Sequence, residues 1–512
     1  MKANSKLPVI SAIFDYVLEL TGEFNYKQNQ LFQLVNDNQG HKLLLVSATK
    51  TKAYCLFNGD ITQSLIGQAV EPIAFEGVIK TNKNIFGTIL NISNQVLFPN
   101  NYQLSDSYYQ TESRIFNKPN GLLEYQPLEE QLHTGYVSID LLIPIGKGQR
   151  ELIIGDRKTG KTHLALNTII NQKGKNIKCI YVAIGQQQSQ VANIYQTLKQ
   201  NGAMDYTFII EATSSSPFDQ FLAPYVGMAH AENIVSDSDV LIIFDDLSAH
   251  ANIYREIALL TNKPVGKEAF PGDMFFAHSR LLERSGKFKG KKSITALPIL
   301  QTIENDITSL IASNIISITD GQIVTNSELF ALAKLPAVDI DLSVSRIGGN
   351  VQKAHISKVA SEVGKIYKAY KRQIKLASLK YDLNDETNSL ITNGALVENM
   401  FIQKGVSVYS EDTMFLTSKL IAWGVFKGVL DIPLALKFID ALIKVNATAR
   451  EIFSNLLHQK QANDTLAKNY FTYRLDEFAK SQDLNWNIKP AAEFIPLSKD
   501  ELATIIQKME VK

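Results

Sequence analysis

Short apolar runs, alternating with polar residues and separated by turn signals, fill the N-terminal part of the chain. From Val9 to about Phe86 they include YVLELTGEF, KLLLVSATKT and KAYCLFNGD, and an Asn-Gly-Asp turn is centred on Gly59. Runs of this length, rich in β-branched and aromatic residues and joined by tight turns, are typical of short strands. We predict a small β-barrel domain over residues 1–86.

Continuous apolar runs with helical stretches between them occupy the middle of the chain. Between Thr134 and Phe330 they read LIIG, IKCIYVAIG, YTFIIEA, VLIIFDD, SITALPIL and IISIT. This alternation indicates a largely parallel sheet covered by helices on both faces. We therefore predict an α/β domain over residues 87–349. Its first part, residues 87–119, is rich in Asn, Ser, Gln and Tyr and is expected to be an irregular connector.

From Gln352 onward the pattern changes to long segments with helical spacing. Examples are KVASEVGKIYKAYKRQIKLASLKYDL and LALKFIDALIKVNATAREIFSNLLHQ. Apolar residues recurring every three to four positions predict amphipathic helices. The fold class is thus a multidomain protein with an N-terminal β-barrel, a central α/β domain and an α-helical C-terminal domain over residues 350–512.

A glycine-bounded turn follows the first strand of the α/β domain. GDRKTGKT fits the pattern G-x-x-x-x-G-K-[ST] through Gly155, Gly160, Lys161 and Thr162. In such a phosphate-binding loop the glycines let backbone N–H groups face a polyphosphate, and the next helix adds its positive end. The lysine reaches the β and γ phosphates and the hydroxyl holds Mg²⁺. An accidental glycine turn is the alternative, but the strand before the loop and the helix after it favour binding.

The strand VLIIF ends at Asp245, followed by Asp246. Open α/β sheets bind ligands at the carboxyl ends of their strands, so Asp245 is expected to act on Mg²⁺ directly or through water. A helix-capping role is the alternative for an aspartate in this place. The predicted cofactors are ATP or ADP with Mg²⁺. Their candidate binding residues are Gly155, Asp156, Arg157, Lys158, Thr159, Gly160, Lys161, Thr162, Gln186 and Asp245.

Composition narrows the function classes. With 52 Lys+Arg against 51 Asp+Glu, the chain lacks the basic excess of a dedicated nucleic-acid binder, and no nucleic-acid partner is expected. Its two cysteines, Cys55 and Cys179, lie far apart and suggest neither a disulfide framework nor a zinc site. No apolar run is long enough to span a bilayer. We expect a cytoplasmic protein, and any association with the inner face of the cell membrane must come through membrane-associated partners.

Taken in order, several stretches between residues 135 and 349 resemble one family closely. They are GYVSIDLLIPIGKGQRELIIGDRKTGKT, YVAIGQQQSQVA, LIIFDDLSAH, KEAFPGDMFFAHSRLLERSG, SNIISITDGQI and LSVSRIGG. The family is the alpha subunit of the F-type rotary ATPases. The resemblance implies a RecA-like P-loop domain, and a ring in which three such chains alternate with three catalytic beta-type chains around a central, gamma-like stalk. It also implies that the turn at 381–385 faces the stalk.

Two features resemble alpha rather than beta chains. The loop carries Asp156 and Arg157, and the strand after it ends in Ile184-Gly185-Gln186, where the resemblance implies a glutamate in a catalytic beta chain. An amide cannot accept a proton at neutral pH, so Gln186 can position water but cannot serve as a general base. The chain is expected to bind nucleotide and to hydrolyse it poorly.

Arg346, in SVSR, matches the family's arginine finger, which reaches the phosphates of the neighbouring beta-type site. Ser317, in IISITDG, matches a serine that lines the same interface. A guanidinium held there stabilises charge on the transferring phosphoryl group. Without the resemblance, an arginine in this position would be interpreted as a surface or interface residue.

Some positions depart from the family pattern. Leu335 stands before Pro336 where the family usually has arginine, the family's Gln-Gly-Gln sequence is not recognisable near Gln403, and no long helix precedes the barrel. These departures suggest a specialised F-type-like ATPase of wall-less bacteria that hydrolyses ATP without a proton-conducting ring. The alternative is the alpha subunit of an ordinary proton-translocating ATP synthase.

Two other hexameric ATPases remain as alternatives. A nucleic-acid translocase of the transcription-terminator kind also joins a barrel to a P-loop domain, but it needs a carboxylate base near Gln186 and a basic, aromatic barrel surface. A homo-hexameric protein-export ATPase must also carry its own base. Both are less favoured than the rotary ATPase.

Overall fold

The structure, a computed structural model, describes residues 7–35, 37, 40–73, 77–377, 385–458 and 463–510. The chain divides into two compact units. One comprises Met1–Thr134 with Ile145–Val351, and the other comprises Gly135–Pro144 with Gln352–Lys512. The predicted three-domain boundaries at residues 86 and 349 stay predictions.

Twenty strands are assigned in the described part of the chain. They are β1 (Val9–Phe14), β2 (Val17–Thr21), β3 (Leu31–Leu34), β4 (Lys42–Ala48), β5 (Lys52–Phe57), β6 (Val70–Pro72), β7 (Val78–Ile79), β8 (Ile89–Leu90), β9 (Val96–Phe98), β10 (Ser113–Arg114), β11 (Gln131–Leu132), β12 (Ile145–Gly146), β13 (Leu152–Asp156), β14 (Ile177–Gln186), β15 (Thr207–Thr213), β16 (Asp239–Asp245), β17 (Gly286–Lys287), β18 (Ser293–Thr302), β19 (Gly321–Thr325) and β20 (Val338–Ser345).

Fifteen α-helices accompany them in the same described residues. They are α1 (Val137–Leu142), α2 (Lys161–Ile170), α3 (Gln188–Gln200), α4 (Pro217–Ile234), α5 (Leu247–Leu260), α6 (Met274–Leu282), α7 (Leu310–Ile318), α8 (Ser327–Ala331), α9 (Ala354–Ala377), α10 (Asp385–Phe401), α11 (Glu411–Ala422), α12 (Ile432–Val445), α13 (Ala447–His458), α14 (Asp464–Ser481) and α15 (Lys499–Glu510).

The first six strands form the predicted barrel. They pair in the order β1-β2-β5-β4-β3-β6. Backbone bonds from Ile10 N to Gln68 O (2.9 Å) and from Val70 N to Pro8 O (2.9 Å) join the first strand to the last. Closure leaves no free sheet edge, and apolar side chains such as Leu18 and Phe32 fill the interior.

A ten-stranded sheet forms the core of the α/β part of the same unit. Its strand order is β20-β19-β13-β18-β16-β14-β15-β8-β9, with β17 paired to β18. In this spatial order, the seven neighbouring strands that begin with β19 and end with β8 run parallel to one another. The outermost strands, β9 and β20, are antiparallel to their neighbours. Because β13, β14 and β16 are parallel, their carboxyl ends lie at one edge of the sheet, where ligands bind in such folds.

Two expectations for this sheet are wrong. IISIT is not a strand: it ends α7, which buries Ala312, Ile315 and Ile318 at a spacing of three and exposes Ser317, and the strand follows at Gly321. Short apolar runs fit both structures, so their letters alone could not decide. The connector is also less irregular than expected, since β8 and β9 within it extend the sheet.

A buried arginine fixes the end of the connector to the sheet. Arg284, fully buried, makes a two-pronged ion pair with Glu232 at 2.8 Å and donates to the carbonyl of Ile115, also at 2.8 Å. The planar guanidinium thus satisfies both a buried charge and a backbone acceptor of an otherwise extended segment.

The second unit is the predicted helical region, built from α1 and α9 to α15. Gln403 joins two of its parts: the amide accepts from Val137 N (2.7 Å) and donates to Gly135 O (3.0 Å). Tyr409 donates to the Asp140 carboxylate at 2.6 Å nearby. The predicted turn at 381–385 includes residues 381–384, which lie outside the described residues.

No helix in the described ranges is both long and apolar enough to cross a membrane.

Three buried histidines should make the first unit sensitive to acid. Burial lowers the pKa of His230 and His278 to about 3 and that of His250 to about 4. Below the ordinary value of 6.5 the unfolded chain therefore binds protons that the folded chain does not. The free energy of unfolding should fall as the pH drops from 6.5 toward 4, by about 1.4 kcal/mol per pH unit for each histidine.

Calorimetric melting between pH 7.5 and 5.5 measures this effect. His250→Gln should reduce the slope of melting temperature against pH, whereas His458→Gln, at an exposed position, should leave it unchanged. Equal slopes in all three proteins would exclude His250 as a cause of the acid sensitivity.

Candidate nucleotide-binding site

The glycine-bounded loop joins β13 to α2, and two glycines shape it. A Cβ at Gly155 would lie 2.1 Å from the Thr325 hydroxyl and 2.4 Å from its carbonyl oxygen, so only glycine lets β13 approach β19 this closely. Gly160 caps α2 with φ of 93°, a left-handed conformation that favours glycine. The N-terminus of α2 therefore opens directly onto the loop, as anion binding requires.

Lys161 is buried at the first position of α2. Its ammonium donates to the carbonyls of Gly155 (2.8 Å) and Asp156 (2.5 Å). Burial lowers its pKa, and the carboxylates of Asp246, Asp245 and Asp156 act in the opposite direction. A largely desolvated cation held over the loop is suited to binding phosphate.

Thr162 and Asp245 meet at the edge of the sheet. The threonine hydroxyl donates to the Asp245 carboxylate at 2.8 Å, and the Tyr181 hydroxyl donates to the same oxygen. Burial and the Asp245 charge raise the pKa of Tyr181 well above its ordinary value, so it stays a donor. A hydroxyl and a carboxylate are hard oxygen ligands, which Mg²⁺ prefers. The Thr162 hydroxyl would bind Mg²⁺ directly, and the Asp245 carboxylate would bind it directly or through water.

Gln186 lies beside this pair at the end of β14. Its amide nitrogen donates to the backbone carbonyl of Asp245 at 3.2 Å. Its amide oxygen is buried and has no hydrogen-bond partner among the described residues. A buried, unpaired acceptor can bind a water molecule, but it cannot remove the proton of that water.

Asp246 is the other carboxylate next to this site. Burial, followed by the neighbouring Asp245, raises its pKa to about 6. Its side chain accepts from Ala249 N at 2.8 Å and so caps α5.

The remaining predicted loop residues have different surroundings. The Asp156 carboxylate accepts from the Thr302 hydroxyl (2.6 Å) and Asn305 N (2.8 Å), which ties the loop to the segment after β18. The Thr159 hydroxyl donates to Asp156 O at 2.8 Å. The side chains of Arg157 and Lys158 are exposed. Asp156 and Thr159 therefore shape the loop, and Arg157 and Lys158 face outward from it.

Arg346 lies at the opposite edge of the sheet from the loop, where the parallel strands have their amino ends. It follows β20, whose last residue pairs with Gly321 at the start of β19, whereas Gly155 pairs with Thr325 at the end of β19. Gly321 and Thr325 are four residues apart along β19, which corresponds to about 13 Å at about 3.3 Å per residue. The guanidinium donates to Thr319 O (3.1 Å) and Ile316 O (3.2 Å) at the end of α7.

Ser317 lies on the same helix end. Its side chain is exposed and donates to Asn314 O at 2.6 Å. The predicted site residues thus form two groups: the loop with Gln186 and Asp245, and Arg346 with Ser317.

Comparisons with known proteins agree with this architecture. A model of the ATP synthase alpha/beta family, nucleotide-binding domain, matches residues 135–345. A protein named ATP synthase subunit alpha 2, from Mycoplasmopsis pulmonis, is 47% identical over 427 residues, which cover 83% of this chain and 82% of that protein. The chain belongs to the F-type ATPase alpha subunits.

Other relatives extend the match. ATP synthase subunit alpha of Clostridium acetobutylicum is 36% identical over 491 residues, 93% of this chain and 95% of that protein. A subunit alpha named sodium ion specific, from Acetobacterium woodii, is 48% identical over 290 residues, 56% and 58% of the two chains. Alpha subunits act as part of the ATP synthase complex, so the enzyme here is the complex rather than this chain alone.

Two contributors to the alpha-subunit site were missed in the sequence. Tyr181 stands within an apolar strand, and its only sequence signal is a hydroxyl that must find a partner once buried. Thr325, which the loop approaches closely, gives no signal, because its role depends on β19 pairing with β13.

Proposed function

We propose that this alpha subunit binds Mg·ATP at its own P-loop without hydrolysing it, and that it supplies Arg346 to the catalytic site of an adjacent beta-type subunit. The observation that carries the proposal is the separation of the two groups of residues. Because Arg346 and the P-loop lie at opposite edges of one sheet, a ring of alternating subunits can use each in a different interface.

The non-catalytic role rests on Gln186. Its amide lies next to Asp245, where an attacking water would be oriented, and offers no basic atom. Asp245 is engaged by Thr162 and Tyr181, and Asp246 caps α5. Mg²⁺ would neutralise phosphate charge and orient the nucleotide here. The side chains around this site therefore favour the binding of nucleotide over the removal of a proton from an attacking water.

The role of Arg346 rests on how its guanidinium is held. Two backbone carbonyls orient it, and no carboxylate of the described residues forms a salt bridge with it. Of its five N–H donors, at least two therefore remain for phosphate oxygens, and the positive charge is not neutralised.

The partners and working direction complete the proposal. The chain would alternate with beta-type subunits in a three-plus-three ring around a gamma-like stalk. Any association with the membrane would come through membrane-associated partners. We propose ATP hydrolysis without a proton-conducting ring as the working direction, on the basis of the departures at Leu335 and Gln403. The alpha subunit of an ordinary proton-translocating synthase is the second candidate.

Lys161→Ala tests nucleotide binding at this site. Titration calorimetry of the isolated chain with Mg·ATP should show an affinity at least about 100-fold weaker, because the loss of a charge-assisted phosphate contact costs several kcal/mol. Lys173→Ala is the matched control, since Lys173 is an exposed lysine just beyond the far end of α2. Binding that survives Lys161→Ala would show that the loop is not the phosphate site.

A further inference from the structure

Gln149 links the strand that leads to the P-loop with the residue before Arg346. Its amide oxygen accepts from Gly146 N at 2.7 Å, which fixes the orientation of the amide. The amide nitrogen therefore faces the interior, where it donates to the Glu151 carboxyl (2.7 Å) and the Ser345 hydroxyl (3.1 Å). Gln149 and Glu151 are both fully buried.

The Glu151 carboxyl fills the space beside Gly321. A Cβ on Gly321 would lie 2.5 Å from one carboxyl oxygen of Glu151 and 2.3 Å from the carbonyl of Val344. Gly321 pairs with Ser345 in the β19–β20 ladder. The carboxyl therefore supports the ladder at the position immediately before Arg346.

Glu151 forms no salt bridge with Arg346 among the described residues. Burial, and next the charge of Asp320, raise the pKa of Glu151 well above its ordinary range, although Arg346 acts in the opposite direction. The raised pKa favours the uncharged form of this acid, and an uncharged side chain competes less with phosphate for the guanidinium. Asp320 is instead paired with Arg150, at 2.7 and 3.0 Å, and gives its backbone carbonyl to Arg346 N at 2.8 Å.

We propose that Gln149 and Glu151 are positioning residues for Arg346, which fix the end of the β19–β20 ladder so that the guanidinium faces the neighbouring subunit's phosphates. This inference rests on the proposed function of Arg346. The two residues touch neither nucleotide nor reacting atoms. Gln149 acts through the Ser345 hydroxyl, and Glu151 acts through its packing against the β19–β20 ladder at Gly321.

The test is steady-state ATP turnover per intact complex, with assembly counted by native mass spectrometry. Gln149→Leu should lower kcat at least about tenfold while changing KM less than about twofold, because orientation of a transition-state group is lost. Ser345→Ala, a milder change in case Gln149→Leu fails to assemble, should lower kcat in the same direction. Glu151→Leu should also lower kcat. Glu151→Gln, which keeps the shape of the side chain without a charge, should retain the kcat of the unchanged protein. Thr261→Val, which removes a buried hydroxyl bonded to Ile257 O, is the control.

The same substitutions in an Arg346→Ala background separate positioning from general stability. If Gln149 and Ser345 act through Arg346, their substitution should cause no further loss of kcat there. A full further loss in that background, or normal kcat in the single variants, would overturn the inference. A normal kcat for Arg346→Ala alone would instead refute the proposed function itself.

Discussion

Arg346→Ala should lower kcat of the assembled complex by roughly 10³-fold or more, the range in which arginine fingers contribute. The guanidinium is exposed, oriented by the Thr319 and Ile316 carbonyls, and not neutralised by a carboxylate of the described residues. Arg346→Lys should not restore the rate, because a point charge lacks the planar fork that contacts two phosphate oxygens.

Arg450→Ala is the matched control for this prediction. Arg450 is also an exposed arginine, and it donates to the carbonyl of Lys444 at 2.6 Å near the end of α12. If Arg346 were only a structural contact of this kind, its loss would cost at most about 1 kcal/mol of stability and leave turnover per ring unchanged. Normal turnover of intact Arg346→Ala rings would therefore leave Arg346 a structural residue.

Much of the fold could be predicted because its signals are local. The P-loop is a continuous motif, and the sequence patterns of the strand before it and the helix after it can both be identified. The apolar strands β14 and β16 are long enough to be recognised from the sequence. The family match confirms the fold class and the alpha-subunit assignment. IISIT was misassigned because a run of five apolar and small polar residues fits a strand as well as the end of α7.

The parts that could not be predicted depend on contacts between distant residues. Tyr181 meets Asp245 only because β14 and β16 are neighbours, and Gln149 meets Ser345 only because β20 folds back on β19. β8 and β9 are two and three residues long, so their strand character comes from pairing with the sheet edge rather than from their own sequence. The roles of Gln186 and Arg346 stay predictions, supported by where the side chains lie.

ATP bound to this chain should remain intact while the complex turns over. Lys161 and Thr162 can hold the phosphates and Mg²⁺, but Gln186 has no proton-accepting atom. The isolated chain should accordingly turn over Mg·ATP at least about 10³-fold more slowly than the complex, since its own Arg346 lies at the far edge of its sheet. Turnover by the isolated chain at the rate of the complex would refute this prediction.

The most direct measurement follows the γ-phosphate on each chain during turnover. The working complex is photolabelled with 2-azido-ATP carrying ³²P at the α or at the γ position, and the label on each separated chain is counted. The proposed function predicts equal α and γ label on this chain, together with loss of γ label from the beta-type chain. Loss of γ label from this chain at the rate of the complex would contradict it.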